Sequence, residues 1–138
     1  MAEMKPHLAI TVTDVARSTP FYRALLDSEP AKQRPGYVKF EPDDPDIVLT
    51  LVEGKRTGEP GAFNHGGIKV SSTDEVLATR LRLQKAGLAT FDEMDTECCY
   101  ARQDKIWITD PDGTPWEVFT VLEDVEHGPR TATACCAS

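Results

Sequence analysis

Basic residues are scarce. Lys and Arg number 15 against 23 Asp and Glu, a formal net charge of -8 over 138 residues, so the clustered cations that a nucleic-acid backbone or an anionic membrane surface requires are not available. No apolar run is long enough to span a bilayer, and Met1 to Pro6 shows no charged region followed by an apolar one. Neither a transmembrane helix nor a signal peptide is expected, which points to the cytoplasm. Cysteine is limited to 4 residues, in two adjacent pairs, Cys98-Cys99 and Cys135-Cys136, rather than spaced as a disulfide framework. In a reducing compartment these are free thiols. The composition that is left, 40% hydrophobic and 28% charged, suits one soluble globular domain whose partner is a small molecule.

The chain repeats itself. His7-Leu8-Ala9-Ile10-Thr11-Val12 places Ile10 and Val12 at period two, a half-buried strand that opens on histidine. A helix is expected after it, with Thr19 as cap, Pro20 at the first helical position and an end near Asp27. Strands come next around Tyr37 to Phe40 and Ile47 to Val52. The same order restarts at His65-Gly66-Gly67-Ile68-Lys69-Val70, which keeps the spacing His-x-x-Ile-x-Val. Ser72-x-x-Glu75 is a capping box that predicts a helix from about Thr73 to Ala86, stopped at Gly87. Strands are expected around Ala89 to Asp92, at Lys105 to Thr109 and, after the turn Asp110-Pro111-Asp112-Gly113, at Trp116 to Leu122. The organisation expected is an α+β domain over residues 1–123, with βαβββ modules at about 5–53 and 65–123. A linker from Gly54 to Asn64 joins them, and a mobile tail covers 124–138.

His7 and His65 open equivalent strands, and Glu117 lies near the start of the last strand, directly after a hairpin turn. Two neutral imidazoles and one carboxylate can occupy one face of an octahedral iron(II) and leave the other open to substrate and dioxygen, so the three are a candidate metal triad. Each alone also reads as a solvated side chain at a strand end. The repeat favours the metal, because it sets two histidines at the same place in two copies of one strand. His127, in the tail, reads as solvated.

His7 to Val12, His65 to Val70 and Asp110-Pro111-Asp112-Gly113-Thr114-Pro115-Trp116-Glu117 together resemble the vicinal-oxygen-chelate superfamily, which includes glyoxalases and bleomycin-resistance proteins. The resemblance implies paired βαβββ modules forming a curved mixed sheet around a metal, with the glutamate after the Asp-Pro-x-Gly turn as a ligand. The triad does not itself select a reaction, since fosfomycin thiol transferases and extradiol dioxygenases share it. Thr96-Glu97-Cys98-Cys99-Tyr100-Ala101-Arg102-Gln103-Asp104-Lys105-Ile106-Trp107 narrows the choice, because it is similar to the organoarsenical carbon-arsenic lyases, often called cadmium-induced proteins. That resemblance implies arsenic binding by Cys98 and Cys99, an iron(II) cofactor on His7, His65 and Glu117, and dioxygen as co-substrate. Trivalent organoarsenicals such as methylarsonous acid are the implied substrates and arsenite the product.

Soft-ligand chemistry agrees, because paired thiolates prefer a thiophilic centre. A thiol transferase and a non-catalytic cadmium- or arsenite-binding protein stay open as alternatives. Neighbouring side chains on a regular strand point to opposite faces. Two cysteines gripping one arsenic are therefore expected on irregular backbone, with about Asp92 to Gln103 forming a loop that closes over the metal. Gln103, Lys105 and Trp107 read as structural or loop-supporting. Cys135 and Cys136 read either as accessory thiols that collect arsenic or as an incidental tail. The modules either close a site within one chain or pair across a homodimer.

Overall fold

The computed structural model describes residues 5–55, 63, 65–98 and 101–124; most of the Gly54 to Asn64 linker, the tail after Asp124, and Cys99, His127, Cys135 and Cys136 lie outside them. The first half runs β1 (His7–Val12), α1 (Val15–Leu26), β2 (Lys32–Arg34), β3 (Tyr37–Phe40) and β4 (Val48–Glu53). The second runs β5 (Gly66–Lys69), α2 (Thr73–Lys85), β6 (Phe91–Cys98), β7 (Ala101–Thr109) and β8 (Pro115–Asp124). The sheets are four-stranded and share one topology, β1-β4-β3-β2 and β5-β8-β7-β6. In each the first strand lies parallel to the last, and the other pairings are antiparallel. The α+β fold of two βαβββ modules is therefore present, with its strands in two mixed sheets rather than one. The chain divides into two compact units, Met1–Glu59 with Asp110–Asp112, and Pro60–Thr109 with Gly113–Ser138. Among the described residues no helix is long and apolar enough to cross a membrane.

In the first unit, period-two alternation places Ile10, Val12, Val38, Phe40, Leu49 and Leu51 in the core with Phe21, Tyr22, Leu25 and Leu26 of α1. Each large side chain buried there stabilises the fold by about 1.5–3 kcal/mol. The helix begins five residues before the expected start. Asp14 is the N-cap, its carboxylate accepting from the N–H groups of Ala16 and Arg17, and Pro20 sits inside the helix. Asp14 wins because its carboxylate satisfies two free N–H groups at once. Thr19 is buried and donates its hydroxyl to the Val15 carbonyl at 2.6 Å instead of capping. The unit also contains the turn residues Asp110–Asp112. Tyr22 donates its buried hydroxyl to Asp110 at 2.7 Å, while Thr13 and Arg17 donate to Asp112.

Both helices end in the same way. Asp27, at φ 49, closes α1, with Ser28 N–H donating to the Arg23 carbonyl. Gly87, at φ 85, comes after α2, with Leu88 N–H donating to the Leu83 carbonyl. Each is a Schellman closure that satisfies carbonyls left over by the helix. At the start of α2, Ser72 accepts from the Glu75 N–H at 3.2 Å. The reciprocal arm of the capping box reaches one residue further back, since Glu75 accepts from Ser71 N–H and Ser71 Oγ at 2.6 and 2.7 Å.

The segment expected to form a loop, Asp92 to Gln103, is mostly strand. β6 continues to Cys98 and β7 begins at Ala101. Polar side chains are recruited into the ladder by cross-strand partners: Trp107 Nε1 donates to Glu93 at 2.9 Å, and Arg102 pairs with Asp95. β6 is an edge strand, where exposed charges are tolerated and discourage further pairing. The short β2, on the edge of the first sheet, has an all-exposed polar sequence that carries no strand signal.

The Ser71 hydroxyl and N–H hold the Glu75 carboxyl below the usual carboxylate range. A lowered folded-state value means that its contribution is fully present above the ordinary glutamate range and fades as pH falls through the folded value. Glu75→Gln should therefore melt below the wild type at neutral pH, with the gap closing on acidification. Thermal melts of both proteins across pH read this directly, and a gap that persists in acid contradicts it.

Candidate active site

Alternation divides the second sheet into two faces. Asp104, Ile106 and Ile108 of β7 lie on the α2 side, where Thr73 of that helix donates to Asp104. Gln103, Lys105 and Trp107 take the other side. Register carries the same division into β8, where Glu117 stands beside Trp107 and Phe119 beside Lys105. In β5, Gly67 pairs with Glu117.

Glu117 is the centre of this face. Lys105 Nζ donates to Glu117 Oε2 at 2.9 Å, with side-chain exposures of 1% and 11%. A cation buried that deeply survives because the carboxylate compensates it and two aromatic rings flank it, Trp107 at 5.5 Å and Phe119 at 5.9 Å from Nζ. The other oxygen is oriented differently. Glu117 Oε1 lies 3.7 Å from His65 Nε2, and the His65 ring meets Trp107 edge to face at 5.2 Å. His65 Nε2 and Glu117 Oε1 are thus neighbours, while Lys105 binds the second carboxylate oxygen.

The glycines after His65 make this packing fit. A Cβ on Gly66 would lie 2.4 Å from the Trp116 ring, and one on Gly67 would crowd the Glu117 side chain at 3.2 Å. A side chain at either position would push on the carboxylate's own strand.

The first unit holds the counterpart. Ala9, two residues after His7, pairs with Thr50, just as Gly67, two after His65, pairs with Glu117. Thr50 therefore occupies the place of Glu117 in the first module, and His7 Nε2 lies 3.0 Å from Thr50 Oγ1. Among the described residues no group of three His, Cys, Asp or Glu lies within reach of one ion. Of the three expected metal ligands, His65 and Glu117 lie side by side, while His7 bonds to Thr50. Cys98 ends β6 opposite Ala101; Cys99 lies outside the described residues.

Residues 6–118 match the family model of the glyoxalase, bleomycin resistance protein and dioxygenase superfamily. The chain belongs to that superfamily. Among relatives, the cadmium-induced protein CadI of Mycobacterium tuberculosis is 45% identical over 94% of this chain and 90% of its own. A trivalent organoarsenical cleaving enzyme of Thermomonospora curvata is 43% identical over 94% and 85%, and one from a Bacillus species is 41% identical over 96% and 82%. A superfamily member of known structure from Alicyclobacillus acidocaldarius superposes with a TM-score of 0.71 at 17% identity, covering 87% of this chain and 92% of that one. A fosfomycin resistance protein from Mesorhizobium loti gives 0.61 at 22% identity, covering 87% and 93%. Likeness at those identities shows the superfamily fold alone.

Lys105 is the residue least legible in the sequence, where it reads as structural or loop-supporting with no partner named. Its signal is a lone cation in the otherwise apolar row Lys105-Ile106-Trp107-Ile108, two positions from a residue that pairs with Glu117. Gly66 and Gly67 carry a comparable signal, consecutive glycines at the start of a strand, which mark close approach.

Removing one partner of a buried ion pair leaves the other uncompensated. Lys105→Met should destabilise the metal-free protein by about 3 kcal/mol. Glu117→Gln added to it should cost much less than Glu117→Gln alone, a coupling that urea unfolding of the four proteins measures. Additive losses would mean that the pair is not coupled.

Proposed function

We propose that this chain is an iron(II)-dependent dioxygenase that cleaves the carbon-arsenic bond of trivalent organoarsenicals in the cytoplasm, dioxygen being consumed and the products being arsenite and an oxidised carbon fragment. The observation that carries the reading is the likeness to organoarsenical cleaving enzymes, at 43% and 41% identity over nearly the whole chain. The convergence of His65 and Glu117 supports it.

His65 and Glu117 would hold the metal, with His7 as third ligand by the equivalence of the two modules. The ion, when bound, supplies the redox chemistry with dioxygen that side chains lack. The other roles belong to this chain. Lys105 keeps Glu117 Oε2 occupied and so leaves Oε1 as the outward donor. Trp107 limits rotation of the His65 ring. The thiols of Cys98 and Cys99 would displace the two hydroxyls of a trivalent arsenical, each leaving as water with a thiol proton, so that arsenic keeps two bonds to sulfur and its one bond to carbon. Chelation of this kind converts an encounter into a fixed orientation.

A sequestering protein would use the same cysteines without turnover. A fosfomycin-type thiol transferase would not need them. Aerobic incubation of the iron(II)-loaded protein with methylarsonous acid should release arsenite and consume oxygen. Cys98→Ser, Cys99→Ser and Glu117→Ala should each lower the rate by about 100-fold or more, the order lost when an oriented reactant is released. Arsenical binding without oxygen uptake would leave only sequestration, and full activity in both cysteine variants would remove the substrate assignment.

A further inference from the structure

β6 carries one residue more than its ladder with β7 requires. Glu93 pairs with Lys105 and Thr96 with Gln103, so Met94 and Asp95 together oppose Asp104. This is a β-bulge. Asp95 has φ 50, in the left-handed region that side chains other than Asn and Asp seldom enter.

Three side chains hold it. Asp104 Oδ1 accepts from the Asp95 N–H at 2.7 Å, and Asp104 Oδ2 accepts from the hydroxyl of Thr73 in α2. Arg102 donates to the Asp95 carboxylate and also to Glu123 of β8, at 3.1 Å. Asp104 is only 9% exposed; a carboxylate so placed persists when its oxygens are bonded, and both are bonded here.

The extra residue sets the register of the rest of β6. After the bulge, Thr96, Glu97 and Cys98 stand opposite Gln103, Arg102 and Ala101. Continued regularly from the Glu93–Lys105 pair, the ladder would instead set Asp95 opposite Gln103 and Glu97 opposite Ala101. A slip of one residue exchanges the faces of a strand. Ala101 belongs to the alternate row of β7 that runs through Gln103 and Lys105 to Trp107, beside Glu117. The bulge therefore gives the place opposite Ala101 to Cys98 and not to Glu97.

We infer that Asp104, assisted by Thr73 and Arg102, is a positioning residue for Cys98: it stabilises the bulge that sets the register of that residue. This rests on the reading of Cys98 and Cys99 as arsenic ligands. Asp104 acts through the backbone of Asp95 and has no contact with substrate in this role.

The test uses the full-length reduced protein with phenylarsine oxide as probe, and every sample, the otherwise wild-type reference included, carries Cys135→Ser and Cys136→Ser, which leaves Cys98 and Cys99 as its thiols. Its affinity is measured by calorimetry, and strand register by cross-strand nuclear Overhauser contacts. The wild type should show the Cys98–Ala101 contact and bind the probe through both cysteines. Asp104→Val should replace that contact with Glu97–Ala101 and bind about tenfold more weakly, the scale of one lost hydrogen bond to a charged acceptor. Asp104→Asn, whose amide oxygen still accepts from Asp95, should stay near the wild type. Deleting Met94 in the Asp104→Val background removes the extra residue, so a regular ladder again sets Cys98 opposite Ala101, and affinity should return. A purely stabilising role for Asp104 gives no such rescue.

If Asp104→Val does not fold, Thr73→Val, which removes only the hydroxyl donor, carries the same comparison. An intact Cys98–Ala101 contact with unchanged affinity in the variant overturns the inference, as does a loss that deletion of Met94 fails to restore. Probe binding that survives Cys98→Ser and Cys99→Ser in the wild-type background defeats the reading of the pair instead. The register contacts then decide the role of Asp104 on their own.

Discussion

The second unit is organised by the two-residue period of β7. One row of that strand faces α2, so the other row builds the opposite face, and it does so with Gln103, Lys105 and Trp107, all three buried. Placing a lysine in that row next to the partner of Glu117 ties the carboxylate by one oxygen, with the cation almost wholly out of water. A buried charge without its partner is costly. The pairing fixes one oxygen of Glu117 and leaves the other beside His65, and the bare backbone of Gly67 leaves the side chain its space.

The two modules show what divergence from one plan has changed. Strand order, helix closure and the position of the histidine are shared. The residue facing the histidine is not, being Thr50 in one and Glu117 in the other. A threonine can hold an imidazole ring in one orientation but brings no formal charge to a cation. The carboxylate that faces a strand-opening histidine is therefore a feature of the second module alone.

Features written in local chemistry are readable in the sequence. The second helix is bounded by Ser72 and Gly87, and the turn before Glu117 by Asp110 to Gly113, because caps and turns depend on a few adjacent residues. The paired histidines are visible through the repeat. The start of α1 is ambiguous because Asp14 and Thr19 are both competent caps, and Asp14 prevails through the two N–H groups its carboxylate accepts from. β6 is hidden for a related reason, since Asp92 to Glu97 has few β-formers and becomes strand through partners on β7. The bulge is invisible, because an extra residue exists only relative to the strand beside it. Lys105 is visible as a residue but not as a partner, for its role depends on register across a hairpin.

The turn at Asp110–Asp112 has a consequence for the order in which the chain can be completed. It supplies the acceptors for Tyr22, Thr13 and Arg17 of the first unit across separations of 88, 99 and 95 residues. A ribosome that has finished β4 has therefore made every strand of the first sheet without the aspartate that receives the buried Tyr22 hydroxyl. Contacts this distant in sequence are slow to form, and these three bonds must wait for most of the second half to be synthesised. Cutting the chain at its internal repeat would part Tyr22, Thr13 and Arg17 from acceptors that the first half cannot supply from its own stretch of sequence.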